Sequence, residues 1–379
     1  MACYSVKIKI HPHISEIPEA QWNALIKDDH PFTKHAFLKA LEEHNCVSAS
    51  FGWLPRHIAI YDEDDQLLGA MPLYEKYNSY GEFVFDHAWA DAWQRSGMEY
   101  FPKLVSATPY TPATGQRLLT QEGQEEIAAL LLATAQQFAH ERKMSGIHIL
   151  FPDAKEQDWL ETQNLFTRHD CQFHWHNHNY QSFEEFLEQL TAKKRKNIRQ
   201  ERKRVASSSA KLRLLDGHSA TDKDWEDFAV FYTRTFEEKW GTPTLNEGFF
   251  KQIGQTMPDN IFLVMADVEE ECIAGSLMFR SEHTLYGRHW GAIEHIDKLH
   301  FEACYYQGIE YCIKHGLQCF EPGAQGEHKI ARGFVPTLTR SSHWLTENPF
   351  QQSIENYVRH EQEAIAEYMQ SCQEKIPYK

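Results

Sequence analysis

The densest collection of reactive side-chain types lies late in the chain, in the run EPGAQGEHKIARGF that begins at Glu321. Gly323 and Gly326 precede Glu327, His328 and Lys329, and Arg332 follows. A lysine beside a glycine-containing turn can bring a cation close to a reacting oxygen, where it stabilises developing negative charge or grips a phosphate. Arg332 can do the same. A proton acceptor must also reach such a site with a pKa near the working pH. His328, His289, Glu302 and Glu327 are the candidates, and a histidine needs the smallest shift. The ordinary alternative is that Lys329 and Arg332 are paired with Glu321 or Glu327 and that each histidine is structural.

Three elements must position these groups. Thr284–Ala292 reads as a strand rich in aromatic residues, with glycines where another backbone or a ligand comes close. On a regular strand Tyr286, Arg288 and Trp290 share one face, and Leu285, Gly287, His289 and Gly291 the other. The spacing of Phe301, Tyr305, Gly308 and Cys312 predicts a helix over 301–315, with Gly316 at a left-handed C-cap. Leu317 to Glu321 then reads as a buried strand, broken by Pro322-Gly323. Lys329, His328, Glu302 and His289 are thus the catalytic candidates. Arg288, Trp290, Tyr305, Glu321, Gln325, Glu327 and Arg332 are the candidate substrate contacts around them. Cys304 is read as a small buried hydrophobe on the helix rather than a nucleophile, since no adjacent base is evident to lower its pKa.

The blocks LYGRHWGA, HFEACYYQGIEYCI and EPGAQGEHKIARGF resemble the signature of the FemAB-like predicted N-acyltransferases. That family is similar to the Fem transferases of peptidoglycan bridges and belongs with the wider GNAT-like superfamily. In the first half GEFVFDHAWADAW, YFPKLVSATPYTPATGQRLL and KKRKNIRQERKR resemble the family's other blocks, so the likeness spans roughly Pro31 to Leu345. The resemblance implies two tandem GNAT-like domains and transfer of an acyl group to an amine. It also implies that Lys329, which matches a lysine after a glycine-rich turn in Fem-type relatives, lies near the acyl centre.

The residues themselves hint at doubling. IAIYDEDDQLLGAMPLYE near Ile58 parallels FLVMADVEEECIAGSLMFR near Phe262, with Gly69 and Gly275 at the same place in the two hairpins. The fold expected is α/β: two tandem GNAT-like domains with mixed sheets flanked by helices, plus a C-terminal helix. The expected boundaries are 1–178 for the first domain, 179–210 for a basic helical connector, 211–348 for the second domain and 349–379 for a helical tail. In the first domain Glu82–Trp89 is a third strand candidate. There Asp86 and His87, with Trp89 and Asp91 close by, are the analogous substrate-pocket residues. A loop at Pro112–Arg117 lies before a long helix predicted over 124–143, and helix-start N–H groups bind anions. Thr114, Gly115 and Arg117 are therefore phosphate-binding candidates.

The chain has 379 residues and a net charge of −16, which argues against a surface that binds nucleic acid throughout. Yet Lys193 to Arg204 carries eight Lys or Arg in twelve positions, with Glu201 the one acid. This stretch is predicted to continue a helix that Ser182 opens with a capping box. Lys194, Arg195, Arg199 and Arg202 are phosphate candidates there, for a nucleotide-containing ligand or a transfer RNA backbone. His174, His176 and His178 alternate on a strand, but no carboxylate or cysteine completes them at a familiar spacing, so no metal is expected. Eight scattered cysteines without a CxxC pair fit reduced thiols. No apolar run spans a bilayer and the N-terminus lacks a signal-peptide pattern, so a cytoplasmic protein without integral membrane contact is expected.

The function expected is N-acyl transfer to a small-molecule or peptide amine, with no tightly bound cofactor. Acyl-CoA is favoured over aminoacyl-tRNA as donor, because of the Gly115 loop and the acidic total. The alternatives are an aminoacyl-tRNA-dependent Fem-type transferase, a non-catalytic module that binds a peptidoglycan precursor or another amine-bearing ligand, and an RNA-binding protein.

Overall fold

A computed structural model of the chain describes residues 6–238, 241–324 and 326–379. The chain divides into two compact units: Met1–Asp170 with Leu338–Glu367, and Cys171–Thr337 with Tyr368–Lys379. Each is α/β.

In the first unit Lys7–His11, His57–Tyr61, Leu67–Met71 and Leu119–Thr120 form one sheet in that order. A second sheet runs Trp53–Pro55, Tyr74–Lys76, Lys103–Ser106, Gly146–Leu150 and then the end of Val335–Leu345. Lys103–Ser106 and Gly146–Leu150 are parallel, as a strand–helix–strand crossover through the helix Glu125–Glu141 requires. That helix buries Ala128, Leu131, Leu132, Ala135 and Ala139 against Ile58, Ile60, Leu104, Ile147 and Ile149. The stripe follows from apolar residues three and four apart.

In the second unit the strands run Lys211–Leu215, Ile261–Val268, Glu271–Arg280, Thr284–Ala292, Cys319–Glu321 and then Phe166–His176. The first four are antiparallel, and Thr284–Ala292 pairs in parallel with Cys319–Glu321. The helix Asp222–Glu237 covers one face, while Val205 and Leu299 pack with Ile273 and Ala274 on the other. The two hairpin glycines have matching roles. A Cβ on Gly69 would strike Ile127 and one on Gly275 would strike Phe228, so each glycine lets a helix close onto its sheet.

The unit boundaries depart from those expected from sequence. Ser341–Leu345 pairs antiparallel with Gly146–Leu150, and Ile354 and Val358 join Trp89, Trp93 and Tyr100 in one apolar cluster. Residues 338–348 therefore belong to the first unit, not to a second domain ending at 348, and most of the tail goes with them. The connector 179–210 is part of the second unit, tied to it by Arg202–Glu302 and Arg332–Glu201. It holds two helices, Phe183–Gln189 and Ala192–Ala206, instead of one. Ser182 caps the first by accepting from the Glu185 N–H at 3.2 Å. The expected strand over 82–89 is absent. His87–Arg95 is a helix instead, with Trp89 and Trp93 buried four apart while Phe85 stays 58% exposed. The seven described cysteines are all free.

Candidate active site

Three departures from regular geometry build the centre of the second unit. The first is a β-bulge: Leu277 faces His289 while Met278 faces Gly287, which leaves Arg288 as the extra residue of its strand. A bulge re-aims the side chains around it. His289 points to the helix side and packs edge-on against Tyr232 at 5.1 Å. Trp290 packs with the Val205–Leu299 cluster on the opposite face and meets the His300 ring. The second departure is a π-helical turn, Glu302–Tyr306, inside the helix spanning 299–315. Such turns widen a helix locally and present side chains that regular spacing would not. The third is the glycine turn before Lys329, where Gly323 and Gly326 hold φ of 99° and 118°. A side chain on Gly326 would collide with the His328 ring.

These features gather Lys329, Arg288 and His328. Lys329 is 2% exposed, and its Nζ donates to the Gly323 carbonyl at 2.7 Å. Among the described residues no carboxylate pairs with it. Burial, and then the nearby Arg288 cation, pull its pKa down to about 7, against a weaker opposing pull from Cys304. Burial also lowers Arg288, to about 10, with Glu321 acting against the shift, so the guanidinium stays charged. His328 is exposed at its edge and shares a 2.9 Å hydrogen bond between Nε2 and the Tyr305 hydroxyl. Partial burial and the adjoining Lys329 and Arg332 hold it below the usual histidine range, so it is neutral at pH 7 and able to accept a proton. Burial pushes the Cys304 thiol up to about 12, which leaves it inert.

Other candidates have different roles. Glu302 receives Arg202 through both oxygens at 3.0 and 3.2 Å and Gln307 at 2.7 Å, so it is committed to structure. Burial pulls His289 down to about 3 behind its aromatic wall, away from Lys329. Glu327 turns outward to Lys375 and Tyr368. Arg332 is paired with Glu201 at 3.0 Å and stacks 3.5 Å over Phe301. Glu321 is buried at the end of its strand, opposite Tyr286. Gln325 lies outside the described residues. His174 meets what the sequence did not supply in register: Cys319 and Glu321, with ligand atoms of all three within 4.8 Å of one another. These are ligand types that could hold a divalent cation.

On the basic helix, Arg199 pairs with Glu184, Arg202 with Glu302 and Glu310, and Arg204 with Asp297. Arg199 and Arg202 are thus neutralised internally, whereas Lys194, Arg195 and their lysine neighbours have no carboxylate partner among the described residues. Lys203 lines a cavity of about 400 Å³ together with Arg202, Glu302 and Gln307.

In the first unit the expected phosphate loop is closed. Gly115 pairs with Pro152 in an isolated bridge, and the Thr114 carbonyl takes a hydrogen bond from His30. Arg117 is fully buried and spends its guanidinium on the carbonyls of Leu150, Gln116 and Ala113. The N–H groups of Arg117 and Leu118 already donate to the carboxyl group of Glu156, whose pKa burial raises to about 8. The long helix begins only at Glu125, after an intervening strand. Of the pocket residues, Asp86 and Trp89 are buried and His87 and Asp91 exposed, as a helix from His87 dictates. Asp86 receives Lys103, Tyr100 and Ser79.

A family model described as peptidoglycan biosynthesis/recognition, FemAB-like, matches residues 13–379. This chain belongs to the FemAB-like family. Among solved structures it is similar to FemX, with a TM-score of 0.53 at 13% identity, covering 89% of this chain and 98% of that one. It is also similar to the C-terminal domain of a putative lysylphosphatidylglycerol synthetase from Agrobacterium fabrum: TM-score 0.54, 6% identity, 90% and 95% covered. A Bacteroides thetaiotaomicron protein of unknown function gives 0.52 at 9% identity, with 90% and 100% covered. At such identities the likeness is one of fold, the α/β arrangement in two units. Comparison with curated proteins gives no sequence match.

Sequence reasoning missed part of what this FemAB-like chain buries. Lys103, Glu82, His148 and His343 are each at most 3% exposed and ionisable. Lys103 opens the strand KLVS, His148 sits inside the apolar strand GIHIL and His343 inside the mixed strand VPTLTRSSHWL, where periodicity marks a core position without telling a packed side chain from a bonded one. The one available signal is a lysine in the run FPKLV, since a charge within a buried strand implies a partner.

Proposed function

We propose that this FemAB-like chain is an N-acyltransferase whose reacting centre is Lys329 with His328. The observation that carries this reading is a lysine buried near the Arg288 cation, with a neutral carbonyl in place of a carboxylate partner and a pKa near 7. Strongly perturbed pKa values cluster at functional sites; Lys76 of the first unit, buried on the Tyr80 carbonyl, is also lowered by burial to about 7, so Lys329 is set apart by its place beside Arg288 and His328. When an amine attacks the donor's carbonyl, negative charge develops on oxygen. Lys329 as ammonium, with Arg288 behind it, stabilises that charge. The attacking nitrogen must shed a proton, and neutral His328, fixed by Tyr305, is placed to take it. The proton then passes to the leaving group.

The acceptor proposed is an amine of a peptidoglycan precursor, following the family's description. The donor carries phosphate, as acyl-CoA and aminoacyl-tRNA both do. Support comes from the unpaired lysines of the basic helix, since the closed loop at Gly115 no longer favours CoA. The test is a transfer assay with acyl-CoA and charged tRNA in parallel, using wild type and Lys329→Arg. If Lys329 acts as a cation, wild-type activity falls as pH rises through about 7. Lys329→Arg, a permanent cation, then loses that limb while keeping measurable activity. Tight binding of donor and acceptor without transfer by wild type would favour the recognition role instead.

A further inference from the structure

The first unit holds a chain of hydrogen bonds that takes no part in the Lys329 centre. Ser341 Oγ meets His343 Nε2 at 2.8 Å, and His343 Nδ1 meets His148 Nδ1 at 2.7 Å. His148 Nε2 meets the Tyr100 hydroxyl at 3.3 Å, and Tyr100 donates to Asp86 at 2.6 Å. Asp86 is anchored by Lys103, which also binds Glu82 at 2.7 Å.

Every proton in this chain can be assigned. Lys103 and its neighbours hold Asp86 well below the usual carboxylate range, so it only accepts. Tyr100 must therefore donate to Asp86, and its oxygen accepts from His148 Nε2–H. Burial, with Lys103 close by, keeps both imidazoles neutral. A neutral ring has one N–H, so His148 Nδ1 accepts from His343 Nδ1–H, and His343 Nε2 accepts from Ser341. All donors point toward Asp86. Ser341 has spent its proton, and what its oxygen offers elsewhere is lone pairs.

Ser341 lines a cavity of about 200 Å³, together with Arg168 and Thr339. Arg168 is 6% exposed and Thr339 4%, and Arg168 Nη1 and Thr339 Oγ1 have no hydrogen-bond partner. Buried donors without partners are costly, typically ~1–3 kcal/mol each, and commonly mark an absent ligand or water. The charges around them sum to a net negative. Glu361 pairs with Arg168 through both oxygens, Arg340 is held by Asp158 and Glu161, and Asp170 adds a further negative charge. An anion would find no net positive field there.

We propose that this cavity is a second binding site, which takes a neutral amide. The amide carbonyl accepts from Arg168 Nη1 and Thr339 Oγ1, and the amide N–H donates to Ser341 Oγ. The volume suits one amide group with its flanking carbons, so the ligand is small or inserts only an end. Tyr100, His148 and His343 act as positioning residues: they fix which way the Ser341 hydroxyl points.

The test uses three probes on the whole chain: N-acetylalanine methylamide, its methyl ester analogue, which lacks the N–H, and acetate. Binding is read by NMR, with imidazole nitrogen shifts reporting the tautomers. The amide should bind saturably, at least tenfold more tightly than the ester or acetate. His343 should carry its proton on Nδ1 and His148 on Nε2. Thr339→Val should weaken amide binding at least tenfold without lowering Tm, because the hydroxyl it removes makes no protein hydrogen bond. Tyr100→Phe should disturb the tautomers and weaken binding even if it also lowers Tm. Equal binding of amide and ester, unchanged binding by Thr339→Val, reversed tautomers, or no saturable binding of any probe would each overturn the proposal.

Discussion

The first unit buries Lys76 and Lys103 and the second buries Lys329, and Lys103 and Lys329 could hardly be treated more differently. Lys103 in the first unit is fully buried between Glu82 and Asp86, and the network extends through Tyr100 to two histidines. Lys329 in the second unit is nearly as buried but leans on a peptide carbonyl, with Arg288 and His328 for company. Carboxylates repay part of the desolvation of the first cation, and the strain appears in the partners: burial pushes Glu82 up to about 7. Among the described residues no carboxylate pairs with the second, and burial lowers its own pKa to about 7. Burial beside carboxylates leaves a lysine charged; burial without a paired counter-charge lowers its pKa.

The largest effect that would break this contrast is in stability. Lys103→Met should destabilise the chain by about 3–5 kcal/mol, since it leaves two buried carboxylates uncompensated. Denaturant unfolding at pH 7 measures it, and a near-neutral result would remove the contrast. Lys329→Ala should instead lower the transfer rate by about 100–1,000-fold, the usual loss for an oxyanion donor. Its circular dichroism should match that of wild type.

Lys329→Met should also stabilise the fold at pH 6, by on the order of 2–4 kcal/mol. The sign follows from linkage. The folded-state pKa is depressed to about 7 from the unfolded 10.5, so the unfolded chain binds more protons between these values. Wild-type stability therefore rises with pH across that window, and the advantage of Lys329→Met shrinks over it. A Tm difference between the two proteins that stayed constant from pH 6 to pH 10 would contradict the assigned environment.

Tyr305→Phe should cost about tenfold or less in rate, the worth of one hydrogen bond, because it removes only the fixing of His328. The smallest effect belongs to the basic helix. Lys196→Ala with Lys203→Ala should weaken donor binding severalfold and flatten its dependence on salt, since each phosphate contact releases counterions. Binding unaltered by salt would place the donor elsewhere.

Much of the fold was legible because its signals are local. The strand Thr284–Ala292, the long helix under Gly69 and the left-handed cap at Gly316 follow from periodicity and glycine placement within a few residues. The cluster of Lys329, His328 and Arg288 was legible too, because two of the three are adjacent and the third lies on the neighbouring strand pair. The misreadings are of another kind. Arg117 looked like a free fork for phosphate, but Leu150, Gln116 and Ala113 had claimed it. Glu302 looked like a base, but Arg202, 100 residues away in sequence, had claimed it.

Residue types and their spacing thus determined which groups could do chemistry, and on which local elements they ride. Only the tertiary structure decided which of them were already spent. Hydrogen bonds and ion pairs form between whatever side chains the fold brings together, and His343 with His148, or His174 with Cys319, are neighbours that no window along the chain contains. Whether a buried cation meets a carboxylate or a carbonyl is settled by that packing, and it separates Lys103 from Lys329.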